Sequence, residues 1–206
     1  MKRCVIIGSA PSSLEFIKKT VNNDDFIICA DGGQRFARAA GFTPSLVVGD
    51  FDSSAVPGDV ENVIYPNEKD QTDMELAVNE GINRGYGYFL ILGCLGGRFD
   101  HSYANLQLLV YLNKIGLNAA LADENNIIMS LRNTSTEIPK RAGCKISIFA
   151  WGGDAMGVSI AGVKYPLKGH TLLRNSSLGV SNEFRDDTAQ VSVENGTILV
   201  IISRDK

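Results

Sequence analysis

From Met1 to about Leu131, short aliphatic and β-branched runs alternate with segments whose apolar positions recur every three or four residues. CVIIG is followed by SSLEFIKKTVN, FIICA by GQRFARAAG, and SLVVG by a loop, NVIYP and TDMELAVNEGINR. YFLILG then leads into HSYANLQLLVYLNKIG, and NAALA into NIIMSL. Continuous apolar strands alternating with amphipathic helices predict a mainly parallel sheet covered on both faces. Local chemistry agrees: Thr72 followed by Glu75 fits a capping box opening a helix at about Asp73, and Gly116 after Lys114 fits a helix stop.

Past Leu131 the period changes, and RNTSTEIPKRAG reads as a crossing to a second unit. From Cys144 onward CKISIFAW, MGVSIAGV, TLLR, TAQVSVE and TILVIIS read as strands, with Asn195-Gly196 as the turn of a hairpin joining the last two. The pattern therefore predicts an α/β domain over residues 1–132 and an all-β domain over 133–206.

Composition narrows the function. A chain of 206 residues that is 44% hydrophobic buries enough surface for one or two domains. A formal charge of −3 supplies no basic field for a phosphate backbone, so no nucleic-acid partner is expected. Cys4, Cys29, Cys94 and Cys144 stand far apart without a CxxC pair, which reads as free thiols in a reducing cytoplasm. The apolar patch after Lys2 and Arg3 ends at Gly8, shorter than the roughly seven to fifteen residues of a signal-peptide core. No run reaches the roughly eighteen apolar residues of a membrane span, so a cytoplasmic chain without membrane contact is expected.

In an open α/β sheet, ligands bind outside the carboxyl ends of the strands. Those ends carry GSAPSS, DGG (Asp31 to Gly33), GDFDSS, PNEKDQTD and GCLGGRFDH in turn. Asp50, Asp52, Asp73 and Asp100 thus gather on one rim. Carboxylates sharing a cleft repel one another, and a divalent ion such as Mg²⁺, which takes a few carboxylates along with substrate phosphates, resolves the conflict. GDFDS alone fits an Asx turn equally well, and Asp73 alone fits a first-turn acid placed by the helix dipole. In GGRFDH the glycines permit close backbone approach, Arg98 can grip phosphate oxygens bidentately, and a helix starts immediately afterwards. Arg98 could instead pair with Asp100 or Asp73, and His101 reads as a residue that orients a neighbour or caps the helix. The chain carries no P-loop, no GxGxxG fingerprint and no GxSxG elbow.

GDFDS, KDQTDMELA and LGGRFDHSYANLQLL, in this order and followed by a β-rich tail with SLGVSNEF, closely resemble the thiamine pyrophosphokinases of the bacterial type. The resemblance implies a Rossmann-like α/β domain followed by a β-sandwich, and a homodimer with thiamine bound between subunits. It implies a Mg²⁺-dependent transfer of the pyrophosphoryl group of ATP to the hydroxyl of thiamine, giving thiamine diphosphate and AMP. Carried over by position, Asp50, Asp52 and Asp73 are the metal-binding acids, while Arg98 and Asp100 contact the pyrophosphate and metal region. Asp31, Gln71 and Thr72 line the same cleft, and Ser181 and Asn182 hold the thiamine ring from the partner subunit. Trp151 and Tyr165 are the candidates for stacking on thiamine, and Asp73 or Asp100 for taking the hydroxyl proton. The adenine pocket has two candidates, GSAPSS and the stretch around Asp123 to Asn126. Two other readings fit parts of the pattern: a phosphatase with Asp50 as aspartyl nucleophile, and a non-catalytic nucleotide or thiamine sensor.

Overall fold

Every residue of CVII and LVVG is buried, as are the last four of FIICA and YFLIL, so the continuous apolar runs become interior strands. The computed structural model of the protein describes residues 2–51 and 57–204. The chain divides into two units, Met1–Glu124 and Asn125–Lys206. In the first, strands β1 (Cys4–Ile7), β2 (Phe26–Ala30), β3 (Leu46–Gly49), β4 (Glu61–Ile64), β5 (Tyr88–Leu92) and β6 (Asn118–Ala122) lie in the order β6-β5-β1-β2-β3-β4. Every neighbouring pair among them is parallel. Helices α1 (Leu14–Thr20), α2 (Gly33–Ala39), α3 (Asp73–Asn83) and α4 (Phe99–Lys114) connect them.

The chain steps outward from β1 to β4, then returns to the far side of β1 at β5 and continues to β6. Right-handed crossovers run in the two directions therefore put their helices on opposite faces. Contacts follow that rule, α1 touching α2 and α3 touching α4. Phe89, Ile91 and Leu92 of β5, with Ile6, Ile7 and Ile28, are fully enclosed between these layers, each worth about 1.5–3 kcal/mol of burial. β4, expected from NVIYP as another apolar strand, is the sheet edge, and its residues are exposed or half-buried.

Helix ends are fixed by the residues the sequence marks. Ser13 Oγ accepts from Phe16 N at 3.3 Å and Thr72 Oγ1 from Glu75 N at 3.2 Å. The Glu75 carboxylate takes its hydrogen bond from Gln71 Nε2 at 2.9 Å, so the expected capping box is realised on the Thr72 side. Gly116, at φ +83°, closes α4 with Leu117 N on Leu112 O at 2.9 Å. The Arg3 guanidinium holds the end of α1 to the start of β2, donating to Thr20 O and to both Asp25 oxygens.

Among the described residues, the second unit contains strands and no helix: β7 (Asn126–Arg132), β8 (Ser135–Pro139), β9 (Cys144–Ala150), β10 (Ala155–Ala161), β11 (Leu167–Leu172), β12 (Asn182–Glu183), β13 (Thr188–Ser192) and β14 (Thr197–Arg204). β12, β9, β14 and β7 lie side by side, and β11-β10-β13-β8 form a four-stranded sheet. All pairings among them are antiparallel. One core joins both sets, with Ile146, Ile148, Ile198 and Val200 meeting Ile138, Val158, Ile160 and Val191.

Two expectations are corrected here. The crossing RNTSTEIPKRAG contains β8, which reads as linker because an edge strand with only Ile138 buried needs few apolar residues. Asn195-Gly196 does not close a hairpin: β13 pairs with β8 and β10, whereas β14 pairs with β7 and β9. Gly196 has φ +114° and donates to Asn133 Oδ1, and the pair carries the chain from one sheet to the other. β7 pairs along its length with β14. The four cysteines are unbridged, and Cys4, Cys29 and Cys94 are buried. Among the described residues, no helix is long and apolar enough to cross a membrane.

Candidate active site

β1 lies between β2 and β5, and the chain leaves these strands in opposite directions. The loops after β1 and β5 therefore diverge and leave a crevice at the switch point of the sheet. A cavity of about 550 Å³ opens there, lined by Gly8 to Pro11 after β1, Asp31 after β2, Lys69 before α3 and Asp73 at its start, and Gly96 to Arg98 after β5. Of the two stretches the sequence offers for a base pocket, GSAPSS contributes to this wall, and the lining does not include Asp123 to Asn126.

Glycines hold the crevice together. A methyl at Gly93 would lie 2.4 Å from Gly8 O, and Gly93 sits at φ +60°, so both loops can meet only without side chains there. Gly8 N donates to Leu92 O at 2.8 Å and Ala10 N to Gly93 O at 3.1 Å across this contact. Asn105, buried on the inner side of α4, donates Nδ2 to Cys94 O at 2.7 Å and fixes the β5–α4 loop from below. On the next two rim loops, Asp31 at φ +48° and Phe51 at φ +57° hold left-handed conformations that non-glycine residues adopt at a cost.

Lys69 brings the acids together. Its ammonium lies 2.7 Å from Asp73 Oδ1 and 3.6 Å from Asp50 Oδ2, and its side chain is only 15% exposed. Burial works against that charge, but the hydrogen bond and attraction of Asp73, reinforced by Asp50, hold the ammonium above the ordinary lysine range. Asp50 and Asp73 thus converge on one point of positive charge. Asp52 lies outside the described residues. Among the described residues, no three His, Cys, Asp or Glu side chains form a cluster able to hold a metal ion.

Asp100 does not join that convergence. Arg98 holds it through Nη2–Oδ2 at 2.6 Å and Nε–Oδ1 at 3.2 Å, the alternative pairing the sequence left open. The guanidinium keeps the Asp100 carboxyl below its ordinary range. Both side chains are mostly exposed, at 73% and 63%, and a solvated pair of this kind opens at little cost. No side chain caps α4 at Arg98. His101 lines the cavity, and it is its backbone N that donates to Asp100 Oδ1, at 2.9 Å. Gln71 and Thr72 line the cavity too, with side chains hydrogen-bonded to the first turn of α3.

In the second unit, Ser181 stands at φ +56° and donates its backbone N to Ser147 Oγ. The Asn182 side chain is 4% exposed and is taken up by the chain itself: Oδ1 accepts from Tyr165 N at 3.0 Å, and Nδ2 donates to Tyr165 O at 2.7 Å. This clamp presents the Tyr165 ring, and that residue is 62% exposed. Lys164 stands 5.5 Å from the ring centroid and shares Glu183 with Lys145, the two lysines holding that carboxyl below its ordinary range. Trp151 is half-buried.

A parallel α/β unit with carboxylates, a lysine and an arginine-bearing glycine loop at its switch point is the build of an enzyme that handles phosphoryl groups. Comparison narrows that class. Residues 17–121 match the family profile "Thiamin pyrophosphokinase, catalytic domain", and residues 135–198 match "Thiamin pyrophosphokinase, vitamin B1 binding domain". The chain belongs to the thiamin pyrophosphokinase family. It is 29% identical to the thiamine pyrophosphokinase of Bacillus subtilis (strain 168) over 217 residues, covering all of both chains. The crystal structure of a Bacillus subtilis thiamine pyrophosphokinase superposes with a TM-score of 0.91 at 26% identity, again over all of both chains. The Candida albicans thiamin pyrophosphokinase shares the fold, with a TM-score of 0.80 at 16% identity over 99% of this chain and 89% of that one.

Proposed function

We propose that the switch-point cavity is the catalytic cleft of a thiamine diphosphokinase. The enzyme transfers the β,γ-pyrophosphoryl group of ATP to the hydroxyl of thiamine. The α–β anhydride bond breaks, a new phosphoester bond forms at the thiamine oxygen, AMP leaves, and the hydroxyl proton passes to a base. The observation that carries this reading is the single cavity wall shared by Asp73, Lys69 and Arg98 at the switch point, in a chain matched by both family profiles.

The residues divide the work. Arg98 opens its solvated pair with Asp100 and grips the pyrophosphate, with Gly96 and Gly97 letting the backbone come close. Asp50 and Asp73 fit a Mg²⁺ ion, because their hard carboxylate oxygens already converge on one cation, and the family resemblance adds Asp52 as a third acid. When bound, the ion supplies neutralisation of the charge that develops on the transferring group. Asp73 or Asp100 accepts the hydroxyl proton, and Asp31 lines the cleft beside them.

The first unit, expected over residues 1–132 and Rossmann-like in its build, handles ATP. The second, over 133–206, is a β-sandwich that binds thiamine and forms a homodimer with thiamine at the subunit interface. Tyr165 is the stacking platform, Ser181 borders it, and Asn182 acts by positioning it. The free thiols support a cytoplasmic enzyme.

Incubation with ATP, Mg²⁺ and thiamine, followed by resolution of the products, tests the reading. AMP with thiamine diphosphate is expected. Phosphate release without thiamine would favour the aspartyl phosphatase, and binding without turnover the sensor. Asp50→Asn and Asp73→Asn should each lower turnover at least about a hundredfold, the scale of one lost electrostatic contact at the transition state.

A further inference from the structure

Lys69 stands in the loop between β4 and α3, four residues ahead of Asp73, with its ammonium against Asp73 and Asp50 and its side chain on the cavity wall. Two carboxylates drawn toward one point repel unless a cation stands between them, and here the chain supplies that cation itself. A hard divalent ion binds carboxylate oxygens at about 2.0–2.1 Å, closer than the roughly 2.8 Å of an ammonium. Lys69 and a divalent ion therefore compete for the same oxygens.

We propose that Lys69 is the resident counter-ion of the acidic cradle: it holds Asp50 and Asp73 together in the metal-free enzyme and yields to the divalent ion. Once released, it becomes a phosphate-contacting cation for ATP. This rests on the reading of Asp50 and Asp73 as metal-binding acids. The geometry supplies the second role. The displaced ammonium hangs from a wall that also carries Arg98, and its nearest acid partners are then occupied. The polyphosphate is the anion that enters the same cavity, and a lysine serves it as a compact, mobile point charge.

The test is Mn²⁺ binding, followed by loss of the free-ion paramagnetic resonance signal, with neither ATP nor thiamine present. It compares wild type with Lys69→Met, Lys69→Gln, Lys69→Arg and Asp73→Asn. Both neutral variants should bind Mn²⁺ at least about tenfold more tightly than wild type, with Lys69→Arg close to wild type. Their metal-free melting temperature should fall and be restored by Mg²⁺. In turnover, both should raise the KM for ATP about tenfold while leaving the KM for thiamine unchanged. Unchanged or weaker Mn²⁺ binding in both neutral variants, with binding still abolished by Asp73→Asn, overturns the exchange and leaves the metal reading standing. Mn²⁺ binding that Asp73→Asn does not alter overturns the metal reading, and the exchange with it.

Discussion

Replacing Asn182 with alanine separates a residue that touches thiamine from one that holds Tyr165 in place. Asn182 Oδ1 accepts from Tyr165 N and Glu183 N, both at 3.0 Å, and Nδ2 donates to Tyr165 O at 2.7 Å. The side chain is 4% exposed, so these backbone groups do not simply turn to water when it is removed. At about 0.5–1.5 kcal/mol for each lost bond, and more where a buried group stays unpaired, Asn182→Ala should destabilise the protein by about 2–4 kcal/mol. For a chain of this size that is about 5–12 °C in melting temperature. The loop that carries Tyr165 then keeps Lys164 N on Glu183 O and the Val163–Phe184 bridge, while the ring loses its fixed direction. If stacking contributes about 0.5–1.5 kcal/mol, the KM for thiamine rises up to about tenfold while the KM for ATP stays constant. Calorimetric melting and thiamine diphosphate formation at varied thiamine concentration measure the two effects. Tyr165→Leu serves as the control and should raise the thiamine KM with little change in melting, because that side chain is exposed. A melting temperature for Asn182→Ala within about 2 °C of wild type would refute the clamp. If the thiamine KM rose all the same, Asn182 would contact the ring directly.

Gly93→Ala places a methyl 2.4 Å from Gly8 O at φ +60°, and the combined strain of about 2–5 kcal/mol should lower melting and abolish ATP binding by titration calorimetry. Equal stability would mean that the two rim loops do not need their glycine contact. Arg98→Ala should leave melting unchanged, since the side chain is solvated, yet lower kcat/KM at least about a hundredfold. A variant with wild-type turnover would remove Arg98 from the reaction. Burial pushes the Cys4, Cys29 and Cys94 thiols up to about 12 from an ordinary value of 9.0. The folded chain thus keeps its protons where the unfolded chain loses them. Stability contributed by these thiols is level below about pH 9 and declines as pH rises toward 12, by up to about 1.4 kcal/mol per pH unit for each. Cys29→Ala should flatten that alkaline decline, and a chromogenic thiol reagent should label half-buried Cys144 first in the native protein. Rapid labelling of all four would contradict the buried assignment.

The interior of the first unit was legible because a strand enclosed on both faces must be apolar throughout, as CVII and LVVG are. Edge strands hide for the converse reason. β8 buries only Ile138 and has no pattern distinct from loop, and of β11, LKGHTL with only Leu172 buried, the sequence marks just the end, through TLLR. Asn195-Gly196 misleads in another way. The dipeptide reports a local reversal, but whether flanking strands pair is decided by partners far along the chain, here β7 and β9 for one and β8 and β10 for the other. Charge explains what was seen of the site. Asp31, Asp73 and Arg98 sit at strand ends and could be placed on one rim from order alone. Lys69 lay within the recognised KDQTD segment, yet nothing in a linear sequence says that its ammonium folds back on Asp50 and Asp73. Asn182 was visible as a polar residue in a motif, but its burial and its bonds to the Tyr165 backbone are set by the fold, and they are what the proposed positioning role rests on.

Lys69 and Arg98, on the described cavity wall, differ in how firmly they are held, and under the proposed exchange that difference sets an order for substrate entry. Arg98 and Asp100 are largely in water, so their pair contributes little and breaks readily when a phosphate offers better geometry. Lys69 is mostly enclosed, and removing it without a replacement would leave Asp50 and Asp73 facing each other in a poorly solvated pocket. Under the proposed exchange, Arg98 is suited to first capture of the polyphosphate from solution, and Lys69 to release only when a divalent ion, alone or with the polyphosphate, takes its place. Each exchange trades one ion pair for another, so the cleft never has to carry an unbalanced buried charge. On the proposed reading, free ATP, which brings no divalent ion for Asp50 and Asp73, engages Arg98 alone and stops short of the arrangement that transfers pyrophosphate.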